Sequence, residues 1–249
     1  MMNRAAKLLL SLAAVVCAAV LLLKALPLIS SLLPEKEKPK PTEPYTITHT
    51  VELVRRDLTN LVETSNLIAI CEVMTEPKSF CVRRGDSGGS ILSEQTLRIE
   101  RVFMGDDTAE TVTVRQRGGT VGLRTEYYTG NPVLKAGSRY LLFLYQPDMG
   151  SGYNTEGDYY YIRGMYQGVY EAVSDGTYRQ PYGSKLTDAS LTDAISNRVA
   201  LPYSSRREYL ARLESNYRSG HLTKEGYEQQ IALVDEYAVI IPDAEAPWH

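Results

Sequence analysis

The stretch RYLLFLY at residues 139–145 is apolar at nearly every position. A strand with one wet face alternates apolar and polar residues, so this continuous apolar run predicts a central strand covered on both sides. Upstream, LIAICEV at residues 67–73 has the same buried character, whereas TVTVR at residues 111–115 alternates as a half-exposed strand does. These three stretches predict that the folded part of the chain is mainly β.

Further strands and turns surround these three stretches. Residues 97–102 indicate another strand, and a shift in its apolar phase near Arg101 predicts a β-bulge. Residues 159–173 contain two more short strands broken by glycines, and the Asp-Gly pair at 175–176 is a hairpin-turn signal. Six or seven short strands separated by Gly-rich turns are typical of a small barrel or sandwich.

The order of these segments supports a family resemblance. A predicted helix at residues 51–64 leads into SNLIAICEV, and VFMGDD, TVTVRQRGG and LKAGSRYLLFLY follow in turn. Over residues 50–173 this order resembles a widespread class of bacterial extracytoplasmic domains of unknown function. It is also distantly similar to the netrin-like module of metalloproteinase inhibitors.

The resemblance implies a small, partly open β-barrel of the oligonucleotide/oligosaccharide-binding (OB) type, with flanking helices, over residues 50–183. The inhibitors act through a cysteine at the mature N-terminus and are stapled by many disulfides. This chain has three cysteines in all, so the resemblance carries over the fold but not the inhibitory activity.

The first 33 residues have the pattern of a membrane segment. Arg4 and Lys7 precede an apolar run at residues 8–23, and after Lys24 the apolar character continues to residue 33. About 20 apolar residues are needed to cross a bilayer. We expect an uncleaved signal anchor forming a single transmembrane helix. A cleaved secretory signal and a lipoprotein signal at Cys17 remain alternatives.

Residues 34–49 form a spacer rich in proline and charge, which is too polar to build a core and is expected to be extended. An anchor followed by a spacer predicts a cell-membrane protein whose folded domain lies outside the cytoplasm.

The region 184–249 is predicted to be helical. A short helix is expected at residues 185–198, and a helical hairpin follows, with Gly220 as the stop of its first helix and Thr223 as the cap of its second. The segment LARLESNYRSGHLTKEGYEQQI resembles the C-terminal hairpins called SHOCT domains, which are linked to oligomerisation. Packing of the hairpin against the barrel is the alternative.

No complete catalytic, cofactor-binding or metal-binding motif is found in the sequence. The string GDSGG at residues 85–89 matches the nucleophile loop of chymotrypsin-like proteases, but the one histidine upstream of Ser87, His49, lies too close in sequence for a first barrel to fit between them. All three histidines are expected to be solvated. Cys71 and Cys81 either form a disulfide, which an oxidising compartment would permit, or remain separate buried thiols.

Composition narrows the function further. The net charge of −3 argues against a nucleic-acid binder. Of the 18 tyrosines, twelve lie between residues 127 and 182, which is typical of a half-exposed sheet or a ligand-binding face. Together with the anchor, this predicts a non-enzymatic binding module for an envelope protein or glycan, with no cofactor. The alternatives are a hydrolase using Ser87 and a structural protein that forms homo-oligomers through the hairpin.

Overall fold

The computed structural model describes residues 41–85, 88–106, 108–150, 152–181, 183–199 and 205–246. The thirteen strands within these ranges are β1 (Tyr45–His49), β2 (Leu67–Val73), β3 (Lys78–Arg83), β4 (Ser90–Met104), β5 (Thr111–Arg117), β6 (Gly119–Val121), β7 (Arg124–Tyr128), β8 (Arg139–Tyr145), β9 (Tyr160–Ile162), β10 (Val169–Ser174), β11 (Thr177–Arg179), β12 (Lys185–Thr187) and β13 (Val239–Ile241). The four α-helices are α1 (Leu58–Glu63), α2 (Asp188–Ser196), α3 (Ser205–Arg218) and α4 (Lys224–Ala232).

Five of the strands close into a barrel. Strand β2 pairs antiparallel with both β4 and β8, β4 pairs antiparallel with β5, β5 pairs parallel with β9, and β9 returns antiparallel to β8. The fold is therefore mainly β, as predicted. The expectation of a partly open barrel was wrong, because the short strand β9 bridges β5 and β8 and completes the ring.

Strands β2 and β8 are covered on both faces, as their continuous apolar sequences predict. Leu142 and Leu144 of β8 point into the barrel with the inner residues of β2. The alternate residues Leu141 and Phe143 pack in a second apolar layer beneath α1, α2 and the sheet extension formed by β10, β11 and β12. Since successive side chains of a strand point to opposite faces, each of residues 140–144 fills one of two cores.

Two local predictions are confirmed. The pairing of β2 with β4 shifts between Ile70–Arg101 and Cys71–Ile99, which places a bulge beside Arg101. The hairpin between β10 and β11 turns at Gly176, whose φ of +67° suits glycine.

The helix predicted at residues 51–64 is shorter in the structure. It begins after Asp57, whose side chain accepts a hydrogen bond from the amide of Asn60. Before this cap, the Arg56 amide donates to Gln167 Oε1 at 2.7 Å, and Gln167 Nε2 donates to the Val54 carbonyl at 3.1 Å. These bonds hold residues 51–56 against the barrel, so the apolar spacing there reflects tertiary packing.

The region 184–249 is less helical than predicted. Residues 185–187 form β12, and the Thr187 side chain caps α2. The helical hairpin is present as α3 and α4, with Gly220 following α3 at a φ of +75° and Thr223 capping α4. Helix α4 ends at Ala232, and the chain then forms β13, which pairs antiparallel with β3.

The predicted anchor at residues 1–33 and residues 34–40 of the spacer lie outside the described residues, whereas residues 45–49 of the spacer form β1. Within the described ranges, no helix has the length and apolar character needed to cross a bilayer.

Candidate functional site

A cavity of about 240 Å³ lies on the outer face of the barrel, where several arginines and tyrosines converge. We call it the Arg–Tyr pocket. Its lining includes the four arginines and three tyrosines Arg56, Arg115, Arg117, Arg163, Tyr128, Tyr145 and Tyr161. None of the described residues that line it is an aspartate or a glutamate. The pocket therefore concentrates positive charge in a chain whose net charge is −3.

Strand register builds the floor of the pocket. Residue 115 of β5 lies opposite Glu94 of β4 on one side and opposite Tyr161 of β9 on the other. Tyr161 in turn lies opposite Tyr145 of β8. Because Val114 and Ile162 point into the barrel, this row of four side chains lies on its outer face. Arg117 follows Arg115 by two residues along β5, and Arg163 follows Tyr161 by two residues just beyond the end of β9, and both line the pocket.

The floor is a ladder of guanidinium groups and rings. The Arg163 guanidinium carbon lies 3.7 Å from the centroid of the Tyr145 ring, and the Tyr145 and Tyr161 centroids are 5.7 Å apart. Tyr161 meets Tyr159 edge-on at 5.5 Å, and Arg115 lies 3.5 Å from the Tyr159 centroid. Burial raises the pKa of Tyr161 well above its usual range, so its hydroxyl stays neutral.

Arg115 is the fixed member of this ladder. The residue is only 3% exposed. Its Nε and Nη2 donate to Glu94 Oε1 at 2.9 and 2.6 Å, and its Nη1 donates to Thr155 Oγ1 at 2.8 Å. A buried charge is costly unless it is paired and hydrogen-bonded, and Arg115 meets both conditions. It contributes a positive field to the pocket while its own N–H groups are engaged within the protein.

Arg163 is also almost completely buried, at 7% exposed, and its Nε donates to the Thr64 carbonyl at 3.0 Å. Arg117 is exposed and lies over the Tyr153 ring at 4.6 Å. The two side chains place one rigid and one solvent-accessible guanidinium at the same cavity.

The rim carries unusual backbone geometry. Met165 has a φ of +56° and is the only non-glycine residue with positive φ within the described ranges. It follows Gly164, whose φ is +67°. Such conformations cost about 1–3 kcal/mol at a non-glycine residue and often occur at ligand sites. The neighbouring Tyr166 amide donates to the Gly130 carbonyl at 3.0 Å, which ties this turn to the opposite rim.

Tyr128 forms a wall that continues into a buried charge cluster. Its ring stacks on His49 with centroids 4.2 Å apart, and its hydroxyl donates to Glu126 Oε2 at 3.4 Å. Glu126 is 3% exposed and is paired with Arg124. Burial, followed by the Glu126 charge, raises the pKa of Tyr128 to about 12. His49, expected in a linker, instead ends β1, and the pairing of β1 with β7 places its ring on this wall, where the side chain is 36% exposed.

No family model, no curated protein and no solved structure matches this chain.

The structure does not bring the two candidate disulfide cysteines together. Both are free, buried thiols. Cys71 of β2 lies opposite Ile99 of β4, whereas Cys81 of β3 lies opposite Ile91 of the same strand. At about 3.3 Å per residue along β4, the two thiols are roughly 25 Å apart, far beyond the reach of a disulfide. Sequence proximity was misleading because β2 and β3 follow one another in the same direction along one edge of β4, so the chain stays extended between the two cysteines.

The remaining candidate residues are only partly placed. Ser87 and Asp86 lie outside the described residues, between Gly85 and Gly88 in the connection from β3 to β4. Among the residues that are described, no group of three or more His, Cys, Asp or Glu side chains is arranged to hold a metal ion.

The helical hairpin has a groove of its own. Tyr209 donates to Gln230 Oε1 at 2.7 Å, Tyr227 donates to Glu214 Oε2 at 2.9 Å, and the Tyr217 and Tyr227 rings stack at 4.9 Å. Between the helices lies a groove with the apolar lining residues Leu210, Ala211, Ile231 and Val234. The hairpin also contacts the barrel domain, since the Arg206 amide donates to Asp148 at 3.0 Å.

Sequence reasoning missed the Arg–Tyr pocket, although two signals for it are present. Residues 115–117 read Arg-Gln-Arg and residues 161–163 read Tyr-Ile-Arg, so each places two large polar side chains on one face of a strand. That these two faces meet depends on the parallel pairing of β5 with β9, which local sequence does not reveal.

Proposed function

We propose that this chain is a membrane-anchored, extracytoplasmic binding module, not an enzyme, and that it recognises an anionic ligand in the Arg–Tyr pocket. The observation that carries the proposal is the convergence of four arginines on one cavity whose described lining has no carboxylate. The chain as a whole has a net charge of −3, so its overall charge does not account for four positively charged side chains at one cavity.

The stacking of arginine side chains on tyrosine rings supports a role in ligand binding over a purely structural one. A guanidinium stacked on an aromatic ring, as that of Arg117 is on Tyr153, presents its N–H edge in the plane, where it matches the oxygens of an anion. A β-barrel is the coarse architecture that the resemblance implies, and the anchor and spacer would hold such a barrel away from a membrane. An anionic group on an envelope polymer or protein is therefore the proposed ligand.

Binding of defined polyanions tests this function. Full-length protein in a non-ionic detergent is titrated with fluorescent polyglutamate, dextran sulfate and polyphosphate, with neutral dextran as the reference. We expect at least one polyanion to bind, and its affinity to fall about tenfold or more in Arg117→Gln. Arg179→Gln removes the same charge from an exposed position on β11 and should leave binding unchanged. Equal binding of neutral dextran, or equal losses in both variants, would contradict the proposal.

Two further experiments separate this function from its rivals. A fluorophosphonate probe should not label the protein; labelling that disappears in Ser87→Ala would instead establish a serine hydrolase. Deleting residues 205–246 and measuring the molecular mass in solution tests oligomerisation through the α3–α4 hairpin. A loss of oligomers on deletion would favour the SHOCT-like structural role.

A further inference from the structure

Resting on the proposed anion-binding function, we propose that the Arg–Tyr pocket is specific for a phosphate monoester or inorganic phosphate, that is, for a tetrahedral dianion. The size of the pocket sets the first limit. At about 240 Å³ it is smaller than the roughly 300–1,000 Å³ of pockets that enclose a drug-sized ligand. It therefore accommodates one charged group, and the remainder of a larger ligand extends past the exposed Arg117.

Charge matching favours a dianion over a carboxylate. Four arginines line the pocket, and Glu94, behind Arg115, forms an ion pair with that residue. A carboxylate brings one negative charge, whereas a phosphate monoester carries about −1.5 to −2 at neutral pH. The monoester therefore neutralises more of the charge that the fold has gathered at this site.

The three separate elements that supply arginines to the pocket favour a tetrahedral ligand over a planar one. Arg56 comes from the segment before α1, Arg117 from the end of β5, and Arg163 from the residue after β9. Arginines that line one cavity from three separate elements can match the three terminal oxygens of a phosphate monoester, each with one edge of its guanidinium fork. A carboxylate has two oxygens in one plane, and one fork-shaped guanidinium is enough to engage both.

Small anions and pH test the specificity. Full-length protein in non-ionic detergent is titrated calorimetrically with inorganic phosphate, glycerol 3-phosphate, dimethyl phosphate, sulfate and acetate. The second ionisation of a phosphate monoester has a pKa of about 6, so the affinity for glycerol 3-phosphate should rise about fourfold between pH 5.5 and pH 7.5. Sulfate, whose charge does not change in this range, should show no such rise, and dimethyl phosphate and acetate should bind at least tenfold more weakly than phosphate at pH 7.5.

Variants locate the binding in the pocket. Arg117→Gln, at an exposed residue, should weaken phosphate binding about tenfold without unfolding the protein, and Arg117→Lys should restore part of the affinity. Arg179→Gln should behave as wild type. Tighter binding of glycerol 3-phosphate than of inorganic phosphate would identify an esterified ligand, and the reverse order would identify free phosphate; either supports the tetrahedral-dianion site.

The outcomes also separate this inference from the function on which it rests. If acetate or polyglutamate binds as well as phosphate, and Arg117→Gln weakens both, the anion-binding function stands and phosphate specificity is overturned. If no anion binds above the level of neutral dextran, both are overturned.

Discussion

Replacing Glu94 by glutamine should destabilise the protein much more than the same change at Glu72. Both carboxylates pair with an arginine on β4 or β5, and the two pairs differ in burial. The Arg115 side chain is 4% exposed beside Glu94, whereas the Arg98 side chain is 53% exposed beside Glu72. Each substitution removes one charge and keeps a carbonyl oxygen at the same place, so the comparison isolates the effect of the environment of the arginine.

The magnitude follows from the two hydrogen bonds that Glu94 accepts from Arg115, at 2.9 and 2.6 Å. A hydrogen bond to a charged group contributes about 1 kcal/mol more to stability than a bond between neutral groups. Because Glu94→Gln weakens two such bonds, the free energy of unfolding should fall by about 2 kcal/mol. The Glu94 side chain is 30% exposed, which keeps the cost below the roughly 3–5 kcal/mol of a fully buried pair. Glu72→Gln should cost about 0.5 kcal/mol, as exposed pairs do.

Thermal unfolding followed by circular dichroism measures the difference. For a domain of this size, about 2 kcal/mol corresponds to a fall in Tm of about 4–8 °C, against about 1–2 °C for the Glu72 variant. Equal shifts in the two variants would refute the argument that the burial of Arg115 decides the cost.

The same substitution should strengthen anion binding while it weakens the fold. Removing a negative charge about 8 Å from a bound anion, at an effective dielectric constant of about 40, favours binding by about 1 kcal/mol per ligand charge, or about fivefold. A loss of phosphate affinity in folded Glu94→Gln would mean that Glu94 acts mainly by orienting Arg115.

Two further predictions concern stability. A Cβ at Gly150 would lie 2.2 Å from the Glu236 carbonyl oxygen, whereas Gly152 has no atom within 4 Å of the equivalent position. Gly150→Ala should therefore lower the free energy of unfolding by about 1–3 kcal/mol, and Gly152→Ala should leave it unchanged or raise it by up to about 1 kcal/mol; equal effects in chemical denaturation would contradict the packing of the C-terminal segment. Burial raises the pKa of the Cys71 thiol from 9.0 to about 12. The preference of the folded state for the protonated thiol stabilises the protein fully below about pH 9, and this stabilisation is lost as the pH rises toward 12. Cys71→Ala should therefore reduce the fall in Tm over that pH range. An unchanged dependence of Tm on pH would exclude the Cys71 thiol as its cause.

The sequence by itself determined the elements whose signals are local. The apolar run of β8 predicts a strand covered on both faces because side chains alternate along any strand. The bulge beside Arg101, the turn at Gly176 and the caps of α3 and α4 likewise follow from neighbouring residues. For the turn and the caps, the interactions that fix the conformation lie within a few positions of the residues that signal it, whereas the bulge forms in the pairing of β4 with β2.

Only the tertiary structure decided the remaining features, because their interactions join distant parts of the chain. Residues 51–56 carry a helical apolar pattern, yet their conformation is fixed by Gln167, which lies 111 positions from Arg56. Strand β13 exists because β3 offers it an edge. The Arg–Tyr pocket forms where the parallel pairing of β5 and β9 sets Arg115 beside Tyr161, and no local pattern encodes that register.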